Sequence, residues 1–255
     1  MNKSLDKRPD FIIIGTQGGG TSTLKKYLMS HPNIRMATSE VHYFDIKYQN
    51  GLDWYMKRLP DNEGGKYKIG EKSPYYMFHP KIAERIKKVY PETKMIMILR
   101  NPVDRAFSQY KKNVCKHKSE LLSFEKAIKM EDQRIAGETE KLMNDDTYIS
   151  YNHREYSYLK RGIYIEQVKQ WFEHFPRNQI LVVKSERLFN QPQKALNKIF
   201  KFIGVNKITI DKPISVNKTR SDLKMKEKTR QRLEKFYQPY NTQLESLLNR
   251  KFNWI

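Results

Sequence analysis

Short unbroken apolar runs alternate along the chain with stretches whose apolar positions recur every three or four residues. Residues 11–14 (FIII), residues 94–99 (KMIMIL) and the run QILVVKSE are apolar without alternation, as expected of strands covered on both faces of a parallel sheet. A further strand is predicted in KYKIGEKSPYY, ending near Glu71, with Lys72, Ser73 and Pro74 at its C-terminal end. Residues 40–44 read as extended, which puts Glu40, His42 and Phe44 on one face and Val41 and Tyr43 on the other.

Helices are predicted between these runs. They lie at 24–29, at 51–59 with Trp54 and Leu59 as packing residues, from Pro80 to about Val89, after Asn101-Pro102, and at 123–134. Residues 162–175 form an amphipathic helix on a stripe of Ile165, Val168, Phe172 and Phe175. Pro192 to Gly204 is another, closed by its glycine. The last, about 223–249, is expected to bury Leu233, Phe236 or Tyr237, Tyr240, Leu244, and Leu247 or Leu248. Residues 136–160 are polar, rich in tyrosine and without a period, which reads as a long loop or short helices over a site. Strands alternating with helices predict an α/β fold with a central, mainly parallel sheet flanked by helices. No repeat, low-complexity tract or linker divides residues 1–255, so a single domain is expected.

The first strand runs into a glycine-rich turn, GTQGGGTSTL, and then a helix. Strand, glycine turn and helix together aim free backbone N–H groups and the positive end of a helix at one point, which favours a phosphate. Thr or Ser just before the helical pattern reads as an N-cap. The turn is near the nucleotide pattern G-x-x-x-x-G-K-[ST]: Gly15 and Gly20 have its spacing and Ser22 its hydroxyl. Thr21 stands in place of the lysine, so the turn points to phosphate rather than to ATP hydrolysis.

Composition narrows the partner. The chain has 49 Lys+Arg against 28 Asp+Glu, a net charge of +21, which attracts polyanions, nucleotides or anionic surfaces without choosing among them. Residues 218–220 open a basic stretch: positions 216–235 carry eight lysines or arginines against three acids. The one cysteine, Cys115, excludes an intramolecular disulfide and reads as a buried structural thiol. No Cys/His cluster suggests a metal site. No apolar run approaches the length of a membrane span, and the first ten residues have no signal-like apolar core, so a cytoplasmic protein without a transmembrane segment is expected.

Some residues carry candidate chemistry. Glu40 beside His42 is general acid/base equipment, although a surface glutamate and a half-buried histidine would look the same. Lys72 and Ser73 sit at the end of a strand where ligands of open α/β sheets bind. Arg100, leaving a buried strand, reads as an anion clamp. Ser108 follows in the next helix, where a solvent-facing hydroxyl is equally expected.

Four stretches in order, GTQGGGTSTL, SEVHYFD, GEKSPYYMFHP and ILRNPVDRAFSQY, together resemble the sulfotransferases that use 3′-phosphoadenosine 5′-phosphosulfate (PAPS). The resemblance is strongest to the heparan sulfate and N-deacetylase/N-sulfotransferase-like carbohydrate branch, and it spans essentially the whole chain. It implies a P-loop-like three-layer domain and transfer of a sulfuryl group from PAPS to a hydroxyl or amine, leaving 3′-phosphoadenosine 5′-phosphate (PAP). By this resemblance Thr16, Gln17, Gly18, Gly19, Gly20, Thr21 and Ser22 wrap the 5′-phosphosulfate. Arg100 and Ser108, with the basic Lys218, Thr219 and Arg220, hold the 3′-phosphate. Glu40 is the general base, and His42 and Asp45 shape the acceptor site. Lys72 lies near the sulfate and the acceptor. The implied partners are a nucleotide sulfate donor and an anionic or carbohydrate acceptor, with no metal and no nucleic acid. A nucleic-acid or polyanion binder with a degenerate phosphate loop, and a sulfotransferase acting on tyrosine peptides, lipids or small metabolites, are the competing readings; a P-loop kinase or NTPase is a further one.

The sequence departs from the family pattern at one position. The family's loop reads K-[GAS]-G-T-[TS], and Gly18 stands where that lysine would assist the leaving phosphate. Either Lys72 takes over, or a lysine from elsewhere reaches in, or the chain is a weak or inactive variant. Restoring lysine at 18 is expected to raise turnover unless Gly18 needs left-handed backbone. The carbohydrate enzymes also often carry a disulfide near the C-terminal basic loop; with Cys115 alone, that loop must be held differently.

Overall fold

Phe11–Gly15 forms β1, buried along its whole length, and the sheet is assembled on either side of it. In the computed structural model, which describes residues 7–210, 214 and 222–254, the chain continues through α1 (Thr21–Met29), β2 (Ile34–Met36), α2 (Leu52–Met56), β3 (Lys68–Lys72), α3 (Ile82–Val89) and β4 (Lys94–Leu99). Next come α4 (Pro102–Lys112), α5 (Phe124–Lys129), α6 (Glu131–Ile135), α7 (Glu138–Asn144), α8 (Tyr151–Tyr156) and α9 (Tyr164–His174). The chain closes with β5 (Ile180–Lys184), α10 (Ser185–Asn190), α11 (Pro192–Ile203) and α12 (Glu227–Leu248). Two compact units result: Met1–Leu99 with Trp171–Val216, and Arg100–Gln170 with Asn217–Ile255.

The first unit holds the sheet, in the order β2-β3-β1-β4-β5. Every pairing is parallel: Phe11 lies between Gly70 of β3 and Lys94 of β4, and Met95 faces Ile180. Parallel pairing needs crossovers, and the helices of those crossovers cover the faces, which is why β1 and most of β4 and β5 are apolar on both sides. Phe11, Ile13, Ile96 and Ile98 meet Leu24, Tyr27 and Leu28 of α1 and Leu196, Ile199 and Phe200 of α11 in one core cluster. Such fully buried side chains each contribute about 1.5–3 kcal/mol. Trp171, also fully buried, donates its indole N–H to the Met77 carbonyl at 3.1 Å.

The second unit is helical and stitched by buried polar groups. Asn101 caps α4, its side-chain oxygen accepting from the N–H groups of Val103 and Asp104, with Pro102 in the first turn. The buried Arg105 guanidinium donates to Gln109 at 2.8 Å and to the Tyr158 carbonyl. Glu131 accepts from the backbone N–H of Leu159 and Lys160 at 2.6 and 2.8 Å, and the Tyr237 hydroxyl of α12 donates to the Leu159 carbonyl at 2.9 Å.

Several expectations shift. Cys115 is exposed rather than buried. The predicted strand at 40–44 is irregular backbone, and the edge strand β2 lies before it. Residues 123–134 split into α5 and α6, while residues 136–160 carry the short α7 and α8, in line with the short-helix reading of that stretch. In α9 Tyr164 and Trp171 are the buried aromatics, with Phe172 half-buried, and in α2 the buried one is Tyr55 rather than Trp54. Trp54 instead carries the Arg58 guanidinium over its ring at 3.4 Å. On α12, Leu233, Tyr237 and Leu244 are buried and Phe236 is exposed. Among the described residues no helix is long and apolar enough to cross a membrane.

Candidate functional site

The turn after β1 enters α1 through backbone that only glycine adopts freely. Gly18 has φ +81° and Gly20, the N-cap of α1, φ +102°. As a glycine, the N-cap Gly20 has no side chain to cap the helix, and Thr21, Ser22 and Thr23 form its first turn instead of preceding it. The N-cap residue thus takes up none of the N–H groups of that turn with a side chain, the arrangement that suits an anion. Thr16 is buried and ties the turn to the sheet, its N–H donating to the Ile98 carbonyl at 3.0 Å. Gly19 donates to the Thr16 carbonyl at 2.9 Å and accepts the Ser185 hydroxyl proton at 2.6 Å. Gln17 lies between them in the turn.

β3 delivers Lys72 to the same end of the sheet. Its ammonium donates to Ser22 Oγ at 3.1 Å and to Glu40 Oε1 at 2.5 Å, so it joins the glycine turn to the segment after β2. His42, at φ +52°, turns its ring back between two carboxylates. Nε2 lies 3.0 Å from Glu40 Oε2 and Nδ1 2.7 Å from Asp45 Oδ2. Both ring nitrogens face acceptors, which requires both to carry protons. Burial works against that charge, but the bonds to Asp45 and Glu40 outweigh it and raise the His42 pKa to about 9. Burial likewise pushes against ionised Glu40, yet its bonds to His42 and Lys72 hold its pKa down to about 2. Asp45 is held in turn by the Ile46 N–H at 2.6 Å.

Below this row lies Glu71, fully buried. Burial raises its pKa to about 8 against the Tyr55 hydroxyl, which donates at 3.1 Å, and Asp45 adds to the rise. Ser73 donates to Glu71 at 3.3 Å and accepts the His42 N–H at 3.1 Å. The row of ionised groups thus rests on a carboxylic acid that stays neutral at pH 7.

The structure therefore brings Ser22, Glu40, His42, Asp45 and Lys72 into one bonded chain beside the turn of Thr16, Gln17, Gly18, Gly19, Gly20 and Thr21. Arg100 is the residue after β4, and Ser108 lies half-buried on α4; both belong to the second unit. Lys218, Thr219 and Arg220 lie outside the described residues. Among the described residues no group of His, Cys, Asp and Glu is set to hold a metal ion. Sequence reasoning missed Ser185 and Glu71. Ser185 had one signal, its position at the ligand-side end of a buried strand; Glu71 had its place at a strand end and in the GEKSPYYMFHP stretch.

The chain matches the family described as "Sulfotransferase domain" over residues 8–247. It is 30% identical over 277 residues to heparan sulfate glucosamine 3-O-sulfotransferase 3A1 of Homo sapiens, a match that takes in 100% of this chain and 64% of that protein. The chain thus spans a little under two thirds of that relative's length. A membrane-associated sulfotransferase, kil1 of Dictyostelium discoideum, is 28% identical, covering 96% of this chain and 66% of its own. The crystal structure of a sulfotransferase from Alicyclobacillus acidocaldarius superposes with a TM-score of 0.77 at 31% identity, covering 97% of this chain and 98% of that one. The chain belongs to the sulfotransferase domain family.

Proposed function

We propose that the protein transfers the sulfuryl group of PAPS to a hydroxyl or amine of a carbohydrate acceptor. The observation that carries this reading is Lys72, whose one ammonium bonds both Ser22 at the phosphate turn and Glu40. Donor side and acceptor side are joined through that group. Family membership and the heparan sulfate relatives favour a sulfated or uronate-bearing carbohydrate as acceptor, and the net charge of +21 favours an anionic one.

The step needs no covalent intermediate. The acceptor oxygen or nitrogen attacks sulfur in line, the bond from sulfur to the 5′-phosphate oxygen breaks, PAP leaves with that electron pair, and Glu40 takes the acceptor's proton. With Lys72 bonded to it, Glu40 is a weak base. When the ammonium turns to the sulfuryl oxygens, Glu40 loses a counter-charge and its basicity rises as negative charge builds on the leaving phosphate. His42, fixed by Asp45, keeps the Glu40 carboxylate oriented. Turn amides receive the phosphosulfate, and Arg100 and Ser108 are assigned the 3′-phosphate by their match to the family motif. The work is positioning and electrostatics, as in phosphoryl transfer.

The test is incubation with radiolabelled PAPS across polysaccharides, glycolipids and tyrosine peptides. Transfer of label to a carbohydrate with release of PAP is the expected result. Transfer only to peptide or lipid would move the acceptor class. Absence of transfer, with nucleic-acid binding that survives excess PAP, would replace the enzyme reading with a polyanion binder.

A further inference from the structure

We propose that Lys25 supplies the cation that the glycine turn lacks, its ammonium leaving the Thr38 carbonyl for phosphosulfate oxygens as the sulfuryl group transfers. The proposal rests on the PAPS reading above and assigns a further residue to that site.

The turn itself carries no cation: Gly18 stands at the loop-lysine position, and its left-handed backbone disfavours any side chain there. Lys72 rests on Ser22 and Glu40 and is assigned above to the sulfuryl oxygens, which leaves the departing phosphate oxygen without a cation of its own. Lys25 lies three residues after Ser22 on α1, so the two share a helix face. Long side chains on a helix lean toward its N-terminus, and the N-terminus of α1 is the glycine turn. The Lys25 ammonium donates to the Thr38 carbonyl at 2.7 Å, two residues before Glu40. Burial lowers its pKa, and the Lys72 ammonium lowers it further, while Glu40 and Glu71 act in the opposite direction. Lys25 is therefore close enough to the row to feel its charges.

The charges of the row leave Lys25 over. Lys72 is matched by Glu40 and the His42 imidazolium by Asp45, and Glu71 is neutral at pH 7. Among the described residues Lys25 bonds a neutral carbonyl and no carboxylate. A half-buried ammonium held by a carbonyl exchanges that partner readily for an anion, because a charge-assisted bond to phosphate or sulfate is about twice as strong. The gain is largest when the leaving oxygen carries most charge, which is the condition for raising turnover rather than affinity alone.

Two variants separate this role from a structural one. Lys25→Met removes the charge and the donor. Lys25→Gln removes the charge but keeps a donor for the Thr38 carbonyl. Turnover of PAPS with an accepted carbohydrate, calorimetric affinity for PAPS and for PAP, and melting temperature are measured for both and for the parent. Both variants are expected to lose turnover by about 10²-fold, the cost of one transition-state donor. PAP affinity and melting temperature should stay near the parent's, and Lys25→Arg should recover part of the turnover. Parent-like turnover in Lys25→Gln would overturn the proposal, since the Thr38 bond would then be the whole role. Equal losses in PAP affinity and in turnover would also overturn it. A parent that binds neither nucleotide would instead refute the donor assignment, and the Lys25 role with it.

Discussion

Lys72 and Glu40 meet at 2.5 Å in the densest charge contact of the site. Together with the His42 bond, that contact keeps the carboxylate at a pKa of about 2, well below that of an effective base at neutral pH. Glu40→Gln keeps the shape and most of the bonding but cannot take a proton. Turnover should fall by roughly 10²–10⁴ with PAP affinity nearly intact. Parent-like turnover, with chemistry established as the slow step, would make Glu40 a purely structural partner of Lys72.

Gly18 gives a second test. Sequence alone leaves Gly18→Lys able to raise turnover, but the backbone at φ +81° reverses that expectation. A side chain in left-handed backbone costs about 1–2 kcal/mol, or about 2–8 °C of melting temperature for a chain of this size. The variant should melt lower and turn over no faster. A faster, equally stable Gly18→Lys would mean that the turn relaxes and that Lys72 and Lys25 leave the role unfilled.

Glu71 predicts a pH dependence of stability. Its carboxyl is raised from its ordinary 4.5 to about 8 in the folded protein. Between those values the folded state keeps a proton that the unfolded chain gives up. Its contribution is therefore full below pH 4.5 and is lost as pH rises through about 8. Glu71→Gln mimics the protonated form and should flatten that decline. Denaturant titrations of both proteins across the window measure it, and parallel curves would show that Glu71 is ionised in the folded state at neutral pH.

For Arg100 the readout is nucleotide selectivity. Arg100→Ala should weaken PAP binding by about 1.5–3 kcal/mol while leaving adenosine 5′-phosphate nearly unaffected. Calorimetry with both ligands decides it. Equal losses would remove Arg100 from the 3′-phosphate.

The sheet was the most legible part of the chain. β1, β4 and β5 are buried on both faces, so each is an unbroken apolar run with no competing period. β2 is three residues around an arginine and carries no such signal. The pairing of Glu40 with His42 was readable from their spacing. The closure onto Asp45 was not, because it depends on His42 adopting φ +52°, a conformation that an L residue betrays by no pattern. In α9 the stripe was placed one position late at Phe172, since Trp171 and Phe172 are both large and apolar enough to serve. The glycine turn was legible as a turn from strand into helix; its glycine N-cap was not, because threonine and serine there fit either a cap or a first turn.

The bond from Ser185 to Gly19 spans 166 residues of chain. At synthesis rates of 5–20 residues per second, the turn emerges roughly 8–33 s before the serine that latches it. Among the described residues the strand leading to that serine pairs only with β4, itself formed far downstream of the turn. A nascent chain thus displays its glycine turn long before the turn is latched, and on the proposed reading donor affinity should arise late and abruptly during translation. Stalled chains ending before residue 185 should neither retain PAP nor gain protease resistance from it, whereas chains carrying α10 and α11 should begin to do both.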